Sequence, residues 1–151
     1  KYTMSKLATV TYQATEYVRD HCLCLAAQRV ARTLARRFDE ALRPVGLTSG
    51  QFSLLMSLNQ PAPPSIGSIA SLLAMDRTTL TANLKPLERR GLVETKVDPA
   101  DRRGRLLVLT ASGRDLLQSA LPIWQHTQNE VDDLLRQTDA EIVRGGLRAL
   151  A

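Results

Sequence analysis

Residues 65–110 contain the pattern that most restricts the fold of this chain. A short helical segment, SIGSIASLLA, is followed by a longer one, DRTTLTANLKPLERRG, and then by two β-like segments, LVETKVD and RLLVLT. Asp76 is a favourable N-cap for the longer helix, Pro86 is expected to kink it, and Gly91 is a favourable C-terminal glycine. The segment PADRRG has the length of a hairpin tip. Two helices, a tight turn and a hairpin together predict a helix-turn-helix with a wing.

Long helices are predicted on both sides of this pattern. From about Arg19 to Arg43, apolar residues recur at spacings of three and four, which is typical of one amphipathic helix. Thr48 is expected to cap a further helix. Its inward-facing residues are predicted to be Phe52, Leu55, Met56 and Leu58. The C-terminal part returns to a helical period, where Pro122 is expected to bend or break the helix and Asp139 to cap the last one.

The predicted fold class is mainly α with a small β-hairpin wing, an α+β arrangement in a single chain of 151 residues. Residues 48–111 form the predicted winged lobe. Residues 1–47 and 112–151 supply terminal helices with more apolar surface than so small a lobe can cover. A second copy of the same helices would cover it, so we expect a homodimer joined through the N- and C-terminal helices.

Positive charge is concentrated in the predicted winged lobe. The chain has a formal net charge of +5 and a pI of about 9.7. Between Arg77 and Arg105 there are eight basic residues and four acidic ones. A concentrated basic segment of this kind indicates a polyanionic partner, although a solvated charged surface has the same composition.

The helix after Asp76 has two chemically different faces. Three leucines on one face are expected to pack inward: Leu80, Leu84 and Leu87. The opposite face carries small, hydroxylated or basic side chains: Arg77, Thr78, Thr81, Ala82 and Lys85. Small side chains let a helix lie close to the major groove, where an arginine can contact guanine and threonines can bond bases or phosphates. The alternative is an ordinary exposed helix.

The predicted hairpin tip carries Arg102 and Arg103 next to Asp101, which can orient one guanidinium group. An arginine at a wing tip suits the narrow minor groove, where the negative potential is deepest. A charged turn without a role is the alternative. The helix and the tip together favour double-stranded DNA as the partner more strongly than either does alone.

Three segments resemble the MarR family of bacterial transcription regulators: LTSGQFSLL, MDRTTLTANLKPLERRGLV and DPADRRGRLLVLTASG. The resemblance extends from about residue 20 to 136. It implies a homodimer that binds a palindromic operator, usually as a repressor, and leaves it when an effector binds or a cysteine oxidises. Carried over by position, it implies these DNA contacts: Arg77, Thr78, Thr79, Thr81, Lys85, Asp101 and Arg103. A common family pattern has arginine where this chain has Ala100.

Symmetry adds a geometric expectation for such a dimer. Its two recognition helices would meet half-sites about 10 bp apart. Three basic residues are expected to neutralise phosphates, so that affinity falls steeply with salt: Lys85, Arg89 and Arg102.

Two triggers for release are open. The first is a small anionic aromatic ligand of the kind that the family implies. The lining of its pocket would come from Phe38, Phe52, Met56 and Trp124, with Arg32 or Arg36 as the partner of a carboxylate. For each aromatic residue the alternative is simple core packing.

The second trigger is oxidation of the cysteines in DHCLCLA. Cys24 stands 24 residues before Thr48, a spacing that resembles the reactive cysteine of the organic-hydroperoxide sensors in the same family. Those sensors surround the thiolate with tyrosines, whereas the corresponding positions here are Gln28, Phe38 and Ser49. On a continuous helix Cys22 and Cys24 would point about 200° apart, with Cys24 half-buried and Cys22 exposed. A disulfide between them would then require the first turn to unwind.

Other classes of protein fit the sequence poorly. His21 and His126 are far apart, and neither a glycine-rich phosphate loop nor a nucleophile elbow is present, so we do not expect an enzyme or a cofactor. Cys-x-Cys with His21 offers at most three local ligands where zinc needs four, so we expect no metal. With no apolar run near the roughly 20 residues of a membrane span and no visible signal peptide, we expect a cytoplasmic protein without a membrane partner. A non-specific DNA-binding or interaction module stays open as an alternative.

Overall fold

A computed structural model describes residues 10–151 and shows a mainly helical chain with one two-stranded antiparallel hairpin. The elements in chain order are α1 Tyr12–His21, α2 Leu23–Leu42, a 3-10 helix Arg43–Val45, α3 Ser49–Leu58, α4 Ile66–Leu72, α5 Arg77–Arg89, β1 Val93–Val97, β2 Arg105–Leu109, α6 Ala111–Leu134 and α7 Ala140–Leu150. The chain divides into two compact units, one that ends at Leu34 and one formed by Ala35–Ala151. The predicted fold class is confirmed.

The single helix predicted from about Arg19 to Arg43 is wrong at its beginning. Cys22 has an extended backbone conformation, with φ of −78° and ψ of 105°, and separates α1 from α2. Its amide donates to the carbonyl of Val18 at 2.9 Å and closes α1, while its Sγ accepts from the Leu25 amide at 3.4 Å at the start of α2. The apolar periodicity runs through the break because a single non-helical residue does not interrupt it.

The core of the C-terminal unit is built mainly from leucines. Leu80, Leu84 and Leu87 are buried as predicted, and they lie in one cluster with residues of α3, β1, β2 and α6. Phe52, Leu55 and Leu58 are buried in α3, where Leu54 joins them. Burial of this apolar surface is what stabilises the winged lobe.

The helix ends follow from local sequence signals. Thr48 and Gln51 form a reciprocal capping box at α3, with hydrogen bonds of 3.2 and 3.1 Å. The side chains of Asp76 and Asp139 accept from the amides of Thr79 and Glu141, as expected of N-caps. Gly91 ends α5 with a φ of +69°, in the left-handed region that glycine adopts most easily.

The hairpin is hydrogen-bonded through β2 to the segment that precedes α4. Its register pairs Val93 with Leu109 and Val97 with Arg105. On its outer side, the Leu107 amide donates to the carbonyl of Pro64 at 2.9 Å. The hairpin is therefore fixed to the segment that enters α4.

The junction between the hairpin and α6 is tightly packed. Thr110 caps α6 by accepting from the Gly113 amide at 3.0 Å, and its hydroxyl donates to the carbonyl of Gly91 at 2.7 Å. A Cβ at Gly113 would lie 2.3 Å from the carbonyl oxygen of Leu92, a distance that no side chain tolerates. The Leu-Thr-x-x-Gly run of the sequence thus joins α6 to the end of α5.

Helix α6 continues through Pro122 from Ala111 to Leu134, so the break that was one of the two expectations for this proline is wrong. Proline removes one backbone hydrogen bond, and the bonded turns on both sides keep the helix continuous. Arg144 of α7 contacts Asp132 of α6 at 3.1 Å. In the part of the chain that the structure describes, no helix is both long and apolar enough to cross a membrane.

Candidate nucleic-acid interface

Helix α5 begins with a strong N-cap. The carboxylate of Asp76 accepts from the amide of Thr79 at 2.8 Å and from its hydroxyl at 2.7 Å. These two hydrogen bonds, first the one from the amide, lower the pKa of the Asp76 carboxyl below its usual value. The cap is therefore fully formed at neutral pH, and its contribution is lost only as the pH falls through that lowered pKa.

One exposed face of α5 carries the predicted recognition residues together. A shallow surface depression of about 340 Å³ is lined by Arg77, Thr78, Thr81, Ala82 and Lys85. All five residues are exposed. The guanidinium group of Arg77 passes over Gly67 of α4, where an added Cβ would lie 2.8 Å from Nη2. This glycine, which the sequence interpretation did not single out, lets Arg77 lie flat across the helix pair.

The wing tip is a rigid turn rather than a loose loop. Asp98 Oδ1 accepts from the Ala100 amide at 2.8 Å, and Asp101 Oδ1 accepts from the Arg103 amide at 3.0 Å. The expectation that Asp101 orients a guanidinium group needs correction, because its carboxylate bonds the main chain of Arg103 instead. The Gly104 amide donates to the carbonyl of Asp101 at 2.8 Å and closes the turn. The turn thus fixes the backbone from which Arg102 and Arg103 project.

Three of the eight basic residues between Arg77 and Arg105 are engaged within the protein. Arg90 donates to the carbonyl of Gly46 at 2.8 Å. Arg105 donates to the carbonyls of Arg102 and Gly104 at 3.2 and 3.0 Å, and Lys96 pairs with Glu94 at 3.4 Å. A count of the charges in the sequence does not show which of them are already engaged in this way.

The other five basic residues have charged groups without a hydrogen-bond or ion-pair partner within residues 10–151: Arg77, Lys85, Arg89, Arg102 and Arg103. All five are exposed, on α5 or at the wing tip. They are the five basic residues predicted from the sequence to contact DNA. Their cationic groups are available to an external anion without the loss of a hydrogen bond or an ion pair among the described residues.

Comparison with known proteins identifies the family. The family model described as "MarR family" matches residues 47–104. The HTH-type transcriptional repressor NicR of Pseudomonas putida is 34% identical over 116 residues, which are 77% of this chain and 70% of NicR. This chain belongs to the MarR family. The M. tuberculosis regulator MosR, crystallised with DNA, superposes with a TM-score of 0.79 at 38% identity, over 86% of this chain and 93% of MosR.

A further MarR-family relative bears on the cysteines. The organic hydroperoxide resistance transcriptional regulator of Bacillus subtilis is 28% identical over 101 residues, which are 67% of this chain and 69% of that protein. Together with the hairpin described above, these relatives establish that the chain is a MarR-type transcription regulator with a winged DNA-binding lobe.

The structure changes the interpretation of the two cysteines. Cys24 is exposed and Cys22 is partly buried, the reverse of what a continuous helix predicts. The side-chain amide of Gln28 donates to Cys24 Sγ at 3.3 Å, and its oxygen accepts from Arg32 Nη2 at 3.4 Å. The extended backbone at Cys22 ends α1 before the two cysteines, but Cys24 still lies in the first turn of α2, where the Cys22 carbonyl accepts from the Ala26 amide at 3.0 Å. A disulfide between Cys22 and Cys24 would therefore still require that turn to open.

Three of the predicted pocket residues meet in the C-terminal unit. Phe38, Phe52 and Trp124 line a half-open cavity of about 150 Å³. The rings of Phe52 and Trp124 stack, with centroids 6.1 Å apart. The remaining lining residues are Leu42, Ser49, Ser53 and Gln128. Met56 is exposed and does not line the cavity, because its position on α3 turns away from the core. Arg32 lies in the N-terminal unit and is not among the lining residues.

Proposed function

We propose that this MarR-family protein is a sequence-specific repressor that binds DNA through α5 and the wing. The observation that carries the proposal is that certain basic side chains of the lobe are free to bind an external anion. Five of the eight basic residues of the lobe have charged groups without a partner among the residues that the structure describes, and they occupy the two elements that a winged helix presents to the grooves. NicR is named a repressor, and MosR is crystallised with DNA, which supports the same role here.

Within this proposal the contacts divide by groove. Arg77, Thr78 and Thr81 face bases in the major groove, and Arg103 enters the minor groove. Lys85, Arg89 and Arg102 neutralise phosphates. Thr79 and Asp101 act indirectly, because the first completes the cap of α5 and the second fixes the wing turn.

We propose further that the repressor is a homodimer. Residues 48–111 are the DNA-binding lobe, and residues 1–47 and 112–151 are the dimerisation helices. The helices outside the lobe expose large apolar side chains, which a partner copy would cover: Tyr12, Tyr17, Leu23, Val30, Leu134, Ile142, Leu147 and Leu150. Twofold symmetry then requires a palindromic operator with half-sites about 10 bp apart.

Selection of duplexes from a random-sequence pool tests this function. The expected result is enrichment of an inverted repeat with that spacing. Recovery of duplexes without a shared sequence would instead indicate a non-specific DNA-binding module, and the proposed function would fail.

For the trigger, we propose oxidation of Cys24 by an organic hydroperoxide. The thiol sulfur attacks the outer peroxide oxygen, the O–O bond breaks, an alcohol leaves, and Cys24 becomes a sulfenic acid. Condensation with the Cys22 thiol would release water and give a disulfide. The exposure of Cys24 and the similarity to the Bacillus subtilis hydroperoxide regulator support this trigger.

The aromatic cavity favours a second candidate trigger. A volume of about 150 Å³ is enough for one six-membered ring, because an engineered cavity of that size binds benzene. Trp124 and Phe52 offer stacking surfaces for such a ring. A small aromatic acid bound there would act on α3 and α6, which both line the cavity.

One release assay separates the two triggers. We expect an organic hydroperoxide to release the wild-type protein from DNA, a reductant to restore binding, and Cys24→Ser to stay bound throughout. Release of Cys24→Ser by hydroperoxide, or no release of the wild type, would exclude oxidation at Cys24. Equal release of both proteins by benzoate, used as the aromatic probe, would favour the cavity instead.

A further inference from the structure

Three threonines in the first turns of α5 have different hydrogen bonds. The hydroxyl of Thr79 donates to Asp76 Oδ2 at 2.7 Å, so Thr79 belongs to the helix cap. The hydroxyl of Thr81 donates to the backbone carbonyl of Arg77 at 2.8 Å. The hydroxyl of Thr78 has no partner in the described part of the chain. The three threonines therefore differ in whether the hydroxyl group is available to a ligand.

The hydrogen bond of Thr81 uses the only proton that its side chain could donate to a base. A hydroxyl has one proton, and in Thr81 that proton is committed to the carbonyl one turn earlier in the helix. The Cγ2 methyl group has no such commitment. Ala82 is the next residue, is also exposed, and contributes a second methyl group to the same depression. Thr81 and Ala82 therefore bring methyl-bearing side chains to a depression whose other lining residues are Arg77, Thr78 and Lys85.

Resting on the proposed DNA-binding function, we propose that Thr81 and Ala82 recognise the C5-methyl group of thymine, whereas Thr78 recognises its target through its hydroxyl. Thymine is the only base that presents a methyl group in the major groove, and alanine and the threonine methyl are side-chain groups that contact it. The helix thus reads one position by apolar contact and another by hydrogen bonding. This assigns a specificity role to Ala82 and a methyl rather than a hydroxyl role to Thr81.

Replacement of thymine by deoxyuridine in the selected duplex tests the methyl contact, since uracil lacks only that group. Each half-site is expected to contain one thymine whose replacement, made alone, weakens binding about fourfold. That factor corresponds to roughly 0.8 kcal/mol for one buried methyl-sized group. Replacement of the other thymines is expected to have little effect. If no thymine in the half-sites responds to the replacement, the methyl contact is absent.

Matched variants separate the methyl from the hydroxyl. Thr81→Val keeps a methyl group in this place and removes the hydroxyl, so the preference for thymine over uracil is expected to persist. Thr81→Ser keeps the hydroxyl and removes the methyl, so that preference is expected to fall. Thr78→Val, the same substitution three residues earlier, is expected to weaken binding about tenfold, as loss of a base hydrogen bond does. Weak binding by Thr81→Val with normal binding by Thr81→Ser would overturn the assignment.

Failure of this inference is distinguishable from failure of the proposed function. If the wild type binds the selected duplex no better than a scrambled one, the DNA-binding proposal itself fails. If it prefers the selected duplex but is indifferent to deoxyuridine at every position, only the methyl contact fails. Thermal melts of the three threonine variants, followed by circular dichroism, show whether α5 is still folded in each.

Discussion

Arg103→Ala is expected to weaken binding to the selected operator about 10- to 100-fold, the effect of losing roughly 1–3 kcal/mol with one arginine–base contact. Arg103 stands on a turn whose backbone is fixed by the Asp101 carboxylate at 3.0 Å, and its guanidinium group has no partner within residues 10–151. Because the backbone is already fixed, only the side chain of Arg103 loses conformational freedom when it enters the minor groove. Fluorescence anisotropy with a labelled duplex measures the change.

Lys96→Ala provides the charge-matched control for this variant. Both changes remove one positive charge from the same hairpin, but Lys96 already pairs with Glu94 at 3.4 Å. We expect Lys96→Ala to change affinity by less than about twofold, as is usual for a residue of an exposed pair. Equal losses from the two variants would mean that net charge, and not the placement of Arg103, determines binding.

Gly113→Ala is expected to lower the free energy of unfolding by about 1–3 kcal/mol, the usual cost of forcing an extra methyl group into a packed region. An added Cβ would lie 2.3 Å from the Leu92 carbonyl oxygen and 2.7 Å from Leu109 Cδ1. The first of these is a backbone atom and cannot move aside as a flexible side chain can. Relief of the clash would require α6 to move away from the end of α5. Urea denaturation followed by circular dichroism measures the effect.

Gly145→Ala is the control for the effect of glycine itself. Gly145 lies inside α7, and an added Cβ there would meet no atom within 4 Å. Alanine is favoured over glycine inside a helix, so we expect unchanged or raised stability, by up to about 1 kcal/mol. If Gly113→Ala is as stable as Gly145→Ala, α6 does not pack as closely against the Leu92 carbonyl as described above.

Local signals in the sequence predict several of the helix ends. The caps at Thr48, Asp76 and Asp139 and the glycine at Gly91 depend on residues within one turn, so they are visible in the sequence. The break at Cys22 is not visible in the sequence, because only the backbone of one residue changes there while the spacing of apolar residues continues. Local composition likewise does not predict that α6 continues through Pro122.

In the candidate site too, features set by neighbouring residues could be predicted from the sequence, and contacts between distant residues could not. The exposed face of α5 follows from helical spacing, since the opposite face is a row of leucines. The role of Arg90 does not follow from helical spacing, because its partner, the carbonyl of Gly46, lies 44 residues away in the chain. The hydroxyl bond of Thr81 and the exposure of Cys24 also depend on three-dimensional geometry. The structure thus shows which basic residues and which hydroxyl groups are free to bind a ligand.

Sequence-specific DNA recognition by α5 and the wing is tested most directly by one ratio of affinities. The dissociation constants of the wild-type protein for the selected inverted repeat and for a scrambled duplex of equal length and composition are compared at a single salt concentration. We predict that the inverted repeat binds at least about 1,000-fold more tightly, the lower end of the range for specific DNA-binding proteins. Equal affinities for the two duplexes would contradict the account, because phosphate contacts alone do not distinguish sequences.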